Sequence, residues 1–158
     1  MARRNATTKV EGMDDLKRAL KKLEKLPQSV ITQSVRKGAT YILKKTVANA
    51  PEFTGTLKAG IVVKGERKGK RGRKVYQITF NKNFNDYFVK YSSGLPDKGF
   101  RAYYPASQEY GFRTPRNGGY VHGLYFMREA ADANSEEAKK LLVYTMMKKV
   151  EKIWQKGR

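Results

Sequence analysis

Residues 61–80 read IVVKGERKGKRGRKVYQITF, and within this stretch the chain changes its period. Ile61-Val62-Val63 and Val75-Tyr76-Gln77-Ile78-Thr79-Phe80 are rich in β-branched and aromatic residues, which suit a pleated, half-buried surface. The segment between them carries Gly65, Gly69 and Gly72 among a dense run of charges. Two such strands around a glycine-rich polar segment predict a long antiparallel hairpin whose tip is residues 65–74.

Upstream, the spacing is helical. Val35, Ala39, Ile42, Leu43 and Val47 form an apolar stripe over residues 29–49. Pro51 closes that helix, because a residue before proline, here Ala50, is pushed out of helical geometry. Before it, Met13, Leu16, Leu20 and Leu23 recur at helical spacing among Lys17, Arg18, Lys21 and Lys22, predicting a first helix over residues 13–25 that Pro27 ends. Asp14 and Asp15 suit its first turn. Residues 1–12, with Arg3 and Arg4 and no apolar face, read as a flexible basic arm. Between the long helix and the hairpin, Pro51, Thr54 and Gly55 predict a turn in which Gly55 takes positive φ and aims the hairpin away from the helix.

Downstream, Tyr87-Phe88-Val89-Lys90-Tyr91 reads as a third strand and residues 92–102 as a loop. Residues 103–110 read as a strand or short helix that stops at Gly111, and residues 112–121 as another loop. Tyr125-Phe126-Met127 leads into a short helix through Ala133. A separate last helix then starts at Ser135-Glu136-Glu137, capped by Asn134 or Ser135. Val143, Met146, Met147, Val150, Ile153 and Trp154 give it a wide apolar face. The order predicts an α+β fold: a small antiparallel sheet with a long β-hairpin, packed against N-terminal and C-terminal helices. The 158 residues suit one domain, residues 13–158, behind the arm.

The net charge is +20, and 20 of the 34 Lys+Arg but only six of the 14 Asp+Glu lie in residues 1–80. The basic surface therefore belongs mainly to the first half, and nucleic acid is the usual neighbour of such an excess. The hairpin tip concentrates it in Lys64, Arg67, Lys68, Lys70, Arg71, Arg73 and Lys74. These cations can sit against a phosphate backbone without reading sequence. The other reading is a solvated loop that keeps an edge from aggregating. The tyrosines between Tyr76 and Tyr125 fit a core or a subunit interface better than base stacking. Phe126, Tyr144 and Trp154 are large groups on or near the terminal helices, and they are expected to lie at an interface with another subunit or partner.

Catalysis finds little support. There is no cysteine, and His122 is the only histidine, so neither a cysteine-ligated zinc site nor a Cys–His dyad can be built. Asp14-Asp15 and Glu136-Glu137 are adjacent on helices, where their side chains diverge by about 100°. Gly69-Lys70 is followed by Arg71 rather than Ser or Thr, so the tip is not a phosphate-binding P-loop. No cofactor and no metal are expected. The polar, basic residues 1–8 do not read as a signal peptide, and no stretch approaches the roughly 20 apolar residues of a membrane span.

Several of these segments recur together in a known pattern. They are Gly12-Met13-Asp14-Asp15-Leu16, Ala48-Asn49-Ala50-Pro51, Thr54-Gly55-Thr56-Leu57-Lys58 with Ile61 entering the hairpin, Glu109-Tyr110-Gly111, and Phe126-Met127-Arg128-Glu129-Ala130. Over most of residues 11–156 the chain resembles the bacteriophage neck and tail-completion family named for the tenth gene product of a lambda-like coliphage. The Ala-Pro…Thr-Gly-x-Leu element is the most specific part of the match. The resemblance implies a structural virion protein without catalysis, assembled in the host cytoplasm and placed at the head–tail interface. It also implies a homo-oligomeric ring, hexamer or dodecamer, around the genomic DNA. Head-completion or adaptor proteins and tail-terminator or tail-tube proteins would be its neighbours. The alternative from another class is a sequence-nonspecific nucleic-acid-binding protein using the hairpin and the Arg3-Arg4 arm.

Overall fold

Two prolines bracket the long helix of the first half. The computed structural model describes residues 27–52, 55–91, 101–114 and 118–156. The expected arm over 1–12, the expected helix over 13–25 and Thr54 lie outside those residues. Helix α1 (Gln28–Asn49) begins after Pro27, whose carbonyl accepts the Val30 N–H at 2.8 Å. It ends at Ala50, which is extended (φ −65°, ψ 138°) before Pro51.

A short helix α2 (Thr56–Gly60) follows, where the sequence reading expected a turn alone. Gly55 caps it at φ 71°, ψ −18°, and the Gly55 carbonyl accepts the Ala59 N–H at 3.0 Å. Strands β1 (Ile61–Gly65) and β2 (Tyr76–Phe80) then pair antiparallel, from Ile61 opposite Phe80 to Gly65 opposite Tyr76. Asn81 N–H donates to the Gly60 carbonyl at 2.7 Å and closes the inner end of the hairpin.

Beyond a 3-10 turn at Lys82–Phe84, the expected third strand splits. Asn85–Phe88 is a helical turn, α3, and only Val89–Tyr91 is strand β3. The reason lies in Phe88. At 1% exposure it turns inward to the centre of the core, and α3 supplies that turn. β3 pairs with β4 (Arg101–Tyr103), which runs into α4 (Tyr104–Tyr110). Where a loop is expected over residues 112–121, β5 (Gly111–Arg113) pairs antiparallel with β6 (Tyr120–His122). The fold is α+β, and the described residues form three two-stranded antiparallel ribbons rather than one continuous small sheet.

The last element is one unbroken helix, α5 (Phe126–Lys156), and not a short helix followed by a capped second one. Asn134 Nδ2 donates to the Ala130 carbonyl at 2.9 Å and Ser135 Oγ to the Asp132 carbonyl at 3.3 Å. Both side chains bond back into the preceding turn, so neither stops the helix. α5 packs along α1. Gly38 lies against Ala138 and Leu142, and Lys149 donates to Gln33, so the two helices run antiparallel. Ser34 and Gly38 are the buried small residues that allow this approach; a Cβ at Gly38 would already sit 3.2 Å from the Ala138 carbonyl oxygen.

The core gathers at the other end of that pair. Ala50, Leu57, Ile61, Phe88 and Phe126 are buried together, with Leu43, Val47, Ile78, Phe80, Phe84, Tyr103, Tyr104 and Met127 packed against them. Phe88 is edge-on to Phe80 at 5.6 Å and to Tyr103 at 6.0 Å, and stacked on Phe84 at 5.8 Å. Burial pushes the Tyr103 phenol above its ordinary value.

Candidate nucleic-acid interface and subunit surface

A hairpin tip loaded with like charges tends to splay, and here three devices hold it. Glu66, the one acid in residues 61–80, is used inside the tip. Its backbone N–H donates to the Val75 carbonyl at 3.0 Å, and its carboxylate accepts the Val75 N–H at 2.8 Å. Lys74 Nζ donates to the Glu66 carbonyl. At the far end, the Arg73 N–H donates to the Lys70 carbonyl at 3.1 Å around a turn in which Gly72 has φ 82°. The third device is tertiary. Gln28, the first residue of α1, donates from Nε2 to the Arg73 carbonyl at 3.0 Å and accepts the Gly72 N–H on Oε1 at 2.9 Å. One side-chain amide thus pairs with the turn as a backbone strand would.

The tip is therefore pinned to the start of α1. Lys64, Arg67, Lys68, Lys70, Arg71 and Arg73 are exposed on it. Lys74 departs from the set. It is half-buried, bonded to Glu66 and placed over the Tyr76 ring at 5.7 Å, so it serves the hairpin itself. No local pattern marks Gln28 in the sequence; its partner is 44 residues away.

The structural turn residues divide by mechanism. A Cβ at Gly55 would meet nothing within 4 Å, so its requirement is the positive φ alone. Gly111, at φ 82° and ψ −179°, has both constraints, because a Cβ there would lie 2.2 Å from the Val121 carbonyl oxygen. Pro51 is half-buried behind α1. Gly111 follows Glu109-Tyr110, and Glu109 is 4% exposed with its carboxylate on the first turn of α5. His122 is exposed and lies edge-on to Tyr120 at 5.1 Å.

Of the three residues expected at an interface, Phe126 is corrected. It is 2% exposed and belongs to the core of its own chain, because as the first residue of α5 it is buried in one cluster with Leu57 and Ile61. Tyr144 and Trp154 are surface residues at 56% and 45% exposure, with Val143, Met147 and Ile153 exposed beside them. Val143, Met147, Val150 and Trp154 recur at alternating spacings of four, three and four, one stripe along the C-terminal half of α5. Lys148 lies over the Tyr144 ring at 4.5 Å. The tyrosines split likewise: Tyr103 and Tyr104 pack on the core, whereas Tyr87, Tyr91, Tyr110 and Tyr120 are exposed.

Among the described residues, no group of three or more His, Cys, Asp or Glu could hold a metal, and no helix is long and apolar enough to cross a membrane. The family described as "Bacteriophage HK97-gp10, putative tail-component" matches residues 14–104. No curated protein and no solved structure matches the chain.

Proposed function

The chain belongs to the HK97-gp10-like family of bacteriophage tail components, and from that premise we propose that it completes the neck between head and tail. Membership makes it a structural protein of the virion. In the proposed role, copies close into a ring, hexamer or dodecamer, around the path of the genomic DNA. Head-completion or adaptor proteins bind on one side and tail-terminator or tail-tube proteins on the other. The exposed stripe of α5 with Tyr144 and Trp154 supplies apolar contact to the next copy or to a neighbouring tier.

The observation that carries this reading is the pinned basic tip. Six exposed cations stand on a hairpin that Gln28 fixes to α1. Such an array attracts a duplex through its phosphates, and phosphate contacts carry no base specificity and exchange readily. That suits a channel through which DNA must pass. Light scattering on the purified protein without DNA tests the ring. A closed oligomer supports the neck role. A monomer that binds duplex tightly, with steep salt dependence, favours the second reading, a free sequence-nonspecific nucleic-acid-binding protein, for which the same cations speak.

A further inference from the structure

Helix α1 carries Arg36, Lys37, Lys44 and Lys45 and no acidic residue over its 22 positions. Gln33, Arg36, Lys37 and Thr40 stand at i, i+3, i+4 and i+7, one face of that helix. Across from them, Lys149 of α5 donates to Gln33 Oε1. These five residues line a groove of about 300 Å³ between the two helices. We propose that this groove is a second phosphate-binding site, which takes the sugar–phosphate backbone of duplex DNA. The proposal rests on the DNA-facing reading above and extends it from the tip to the α1–α5 seam.

The chemistry of the lining argues for an anion. Among the described residues, Arg36, Lys37 and Lys149 line one groove, no carboxylate lines it, and none of the three forms an ion pair. Three other lysines do have carboxylate partners: Lys58 with Glu52, Lys139 with Glu136, Lys140 with Glu137. Three like charges around one groove repel each other, and a bound anion relieves that repulsion. Arg36 presents a planar fork suited to two phosphate oxygens, and the lysines add point charges. The Lys149 bond to Oε1 orients the Gln33 amide and leaves its Nε2 as a donor. Thr40 Oγ1 donates to the Arg36 carbonyl at 2.8 Å, so it shapes the wall instead of binding.

The position argues for DNA. Gln28, which holds the tip, and Arg36 are eight residues apart on α1, about 12 Å along the axis. Duplex DNA presents about seven phosphates over that length. The two positions are also only about 80° apart around the axis, so a duplex lying along α1 on that side would meet the tip and the groove together.

The test uses the full chain and a fluorescent duplex, with anisotropy followed over a range of NaCl. Four proteins are compared: wild type, the groove variant R36Q/K37Q/K149Q, the charge-keeping R36K/K37R/K149R, and the tip variant K68S/K70S/R71S/R73S. The expected result is a slope of log Kobs against log[salt] that is shallower by about two to three in the groove variant and restored in the charge-keeping one. If the triple variant melts early, R36Q/K37Q, at two exposed positions, carries the test, with a loss of about one to two. A groove variant with the wild-type slope overturns the proposal, and if the tip variant alone loses binding the DNA-facing tip still stands. Wild-type protein that ignores DNA overturns both. Inorganic phosphate that binds wild type but not the groove variant, while the duplex binds both with the same salt slope, assigns the groove to free phosphate and overturns the DNA assignment. Loss of self-association with unchanged DNA binding marks a protein contact and overturns it as well.

Discussion

Glu109 and Met127 lie 18 residues apart, and the carboxylate of the first accepts the backbone N–H of the second at 2.9 Å. Its other oxygen accepts the Arg128 N–H at 3.1 Å, and the Glu109 carbonyl accepts the Tyr125 N–H at 3.0 Å. The first turn of a helix leaves its N–H groups without intrahelical partners and favours negative charge. Glu109, held in α4, supplies both needs for α5, the longest helix among the described residues. Glu109→Ala should lower stability by about 3 kcal/mol or more, the scale of two charge-assisted bonds in a buried place, and Glu109→Gln by less. Urea unfolding measures this. An alanine variant with the wild-type midpoint would show that the cap contributes nothing.

Gly60 and Gly55 should fail for different reasons when changed to alanine. A Cβ at Gly60 would sit 2.3 Å from Phe88 Cζ, so Gly60→Ala overpacks the core and costs about 1–3 kcal/mol. Gly55→Ala meets open space and costs about 1–2 kcal/mol through its φ of 71°. Phe88→Leu in the same chain should couple to Gly60→Ala and leave the effect of Gly55→Ala unchanged. Thermal unfolding of the single and double variants gives the coupling. Equal coupling at both glycines would refute the distinction.

The sequence made the local elements readable and hid the tertiary ones. The shift from helical spacing before Pro51 to β-branched runs after Gly60 marks α1 and the β1–β2 hairpin, since both patterns are local. Phe88 misled because an aromatic next to Val89 reads as strand, and only the finished core shows it turning inward. Asn134 and Ser135 look like caps, but a cap needs the chain before it to be non-helical, which no residue there enforces. In the candidate interface, the cations of the tip were legible as composition. The Gln28 clamp and the Arg36–Lys37–Lys149 groove were not, because each joins residues from two distant elements.

Gln28→Ala should free the tip while leaving the fold in place. The lost bonds are exposed, so stability should fall by only about 1 kcal/mol. Amide hydrogen exchange at Gly72 should accelerate, because its N–H loses the Gln28 acceptor. Unchanged exchange at Gly72 would show that the tip holds its own shape.

Phe126→Ala and Trp154→Ala should separate folding from assembly. Phe126 is in the core, and its truncation should cost about 3–5 kcal/mol. Trp154 is 45% exposed, so Trp154→Ala should cost about 1 kcal/mol at most while weakening self-association. Thermal melting and sedimentation velocity, run on both, read the two effects. A Trp154→Ala protein that assembles like wild type would remove the α5 stripe from the interface.

A cryo-EM map of the virion at its head–tail junction tests the neck assignment most directly. The expected result is a closed ring of this chain at the junction, with residues 65–74 of each copy turned toward the DNA channel or toward a negatively charged adjoining tier. A junction that lacks the chain, or a ring whose basic tips stand on the outer surface in bulk solvent and touch nothing, would contradict it.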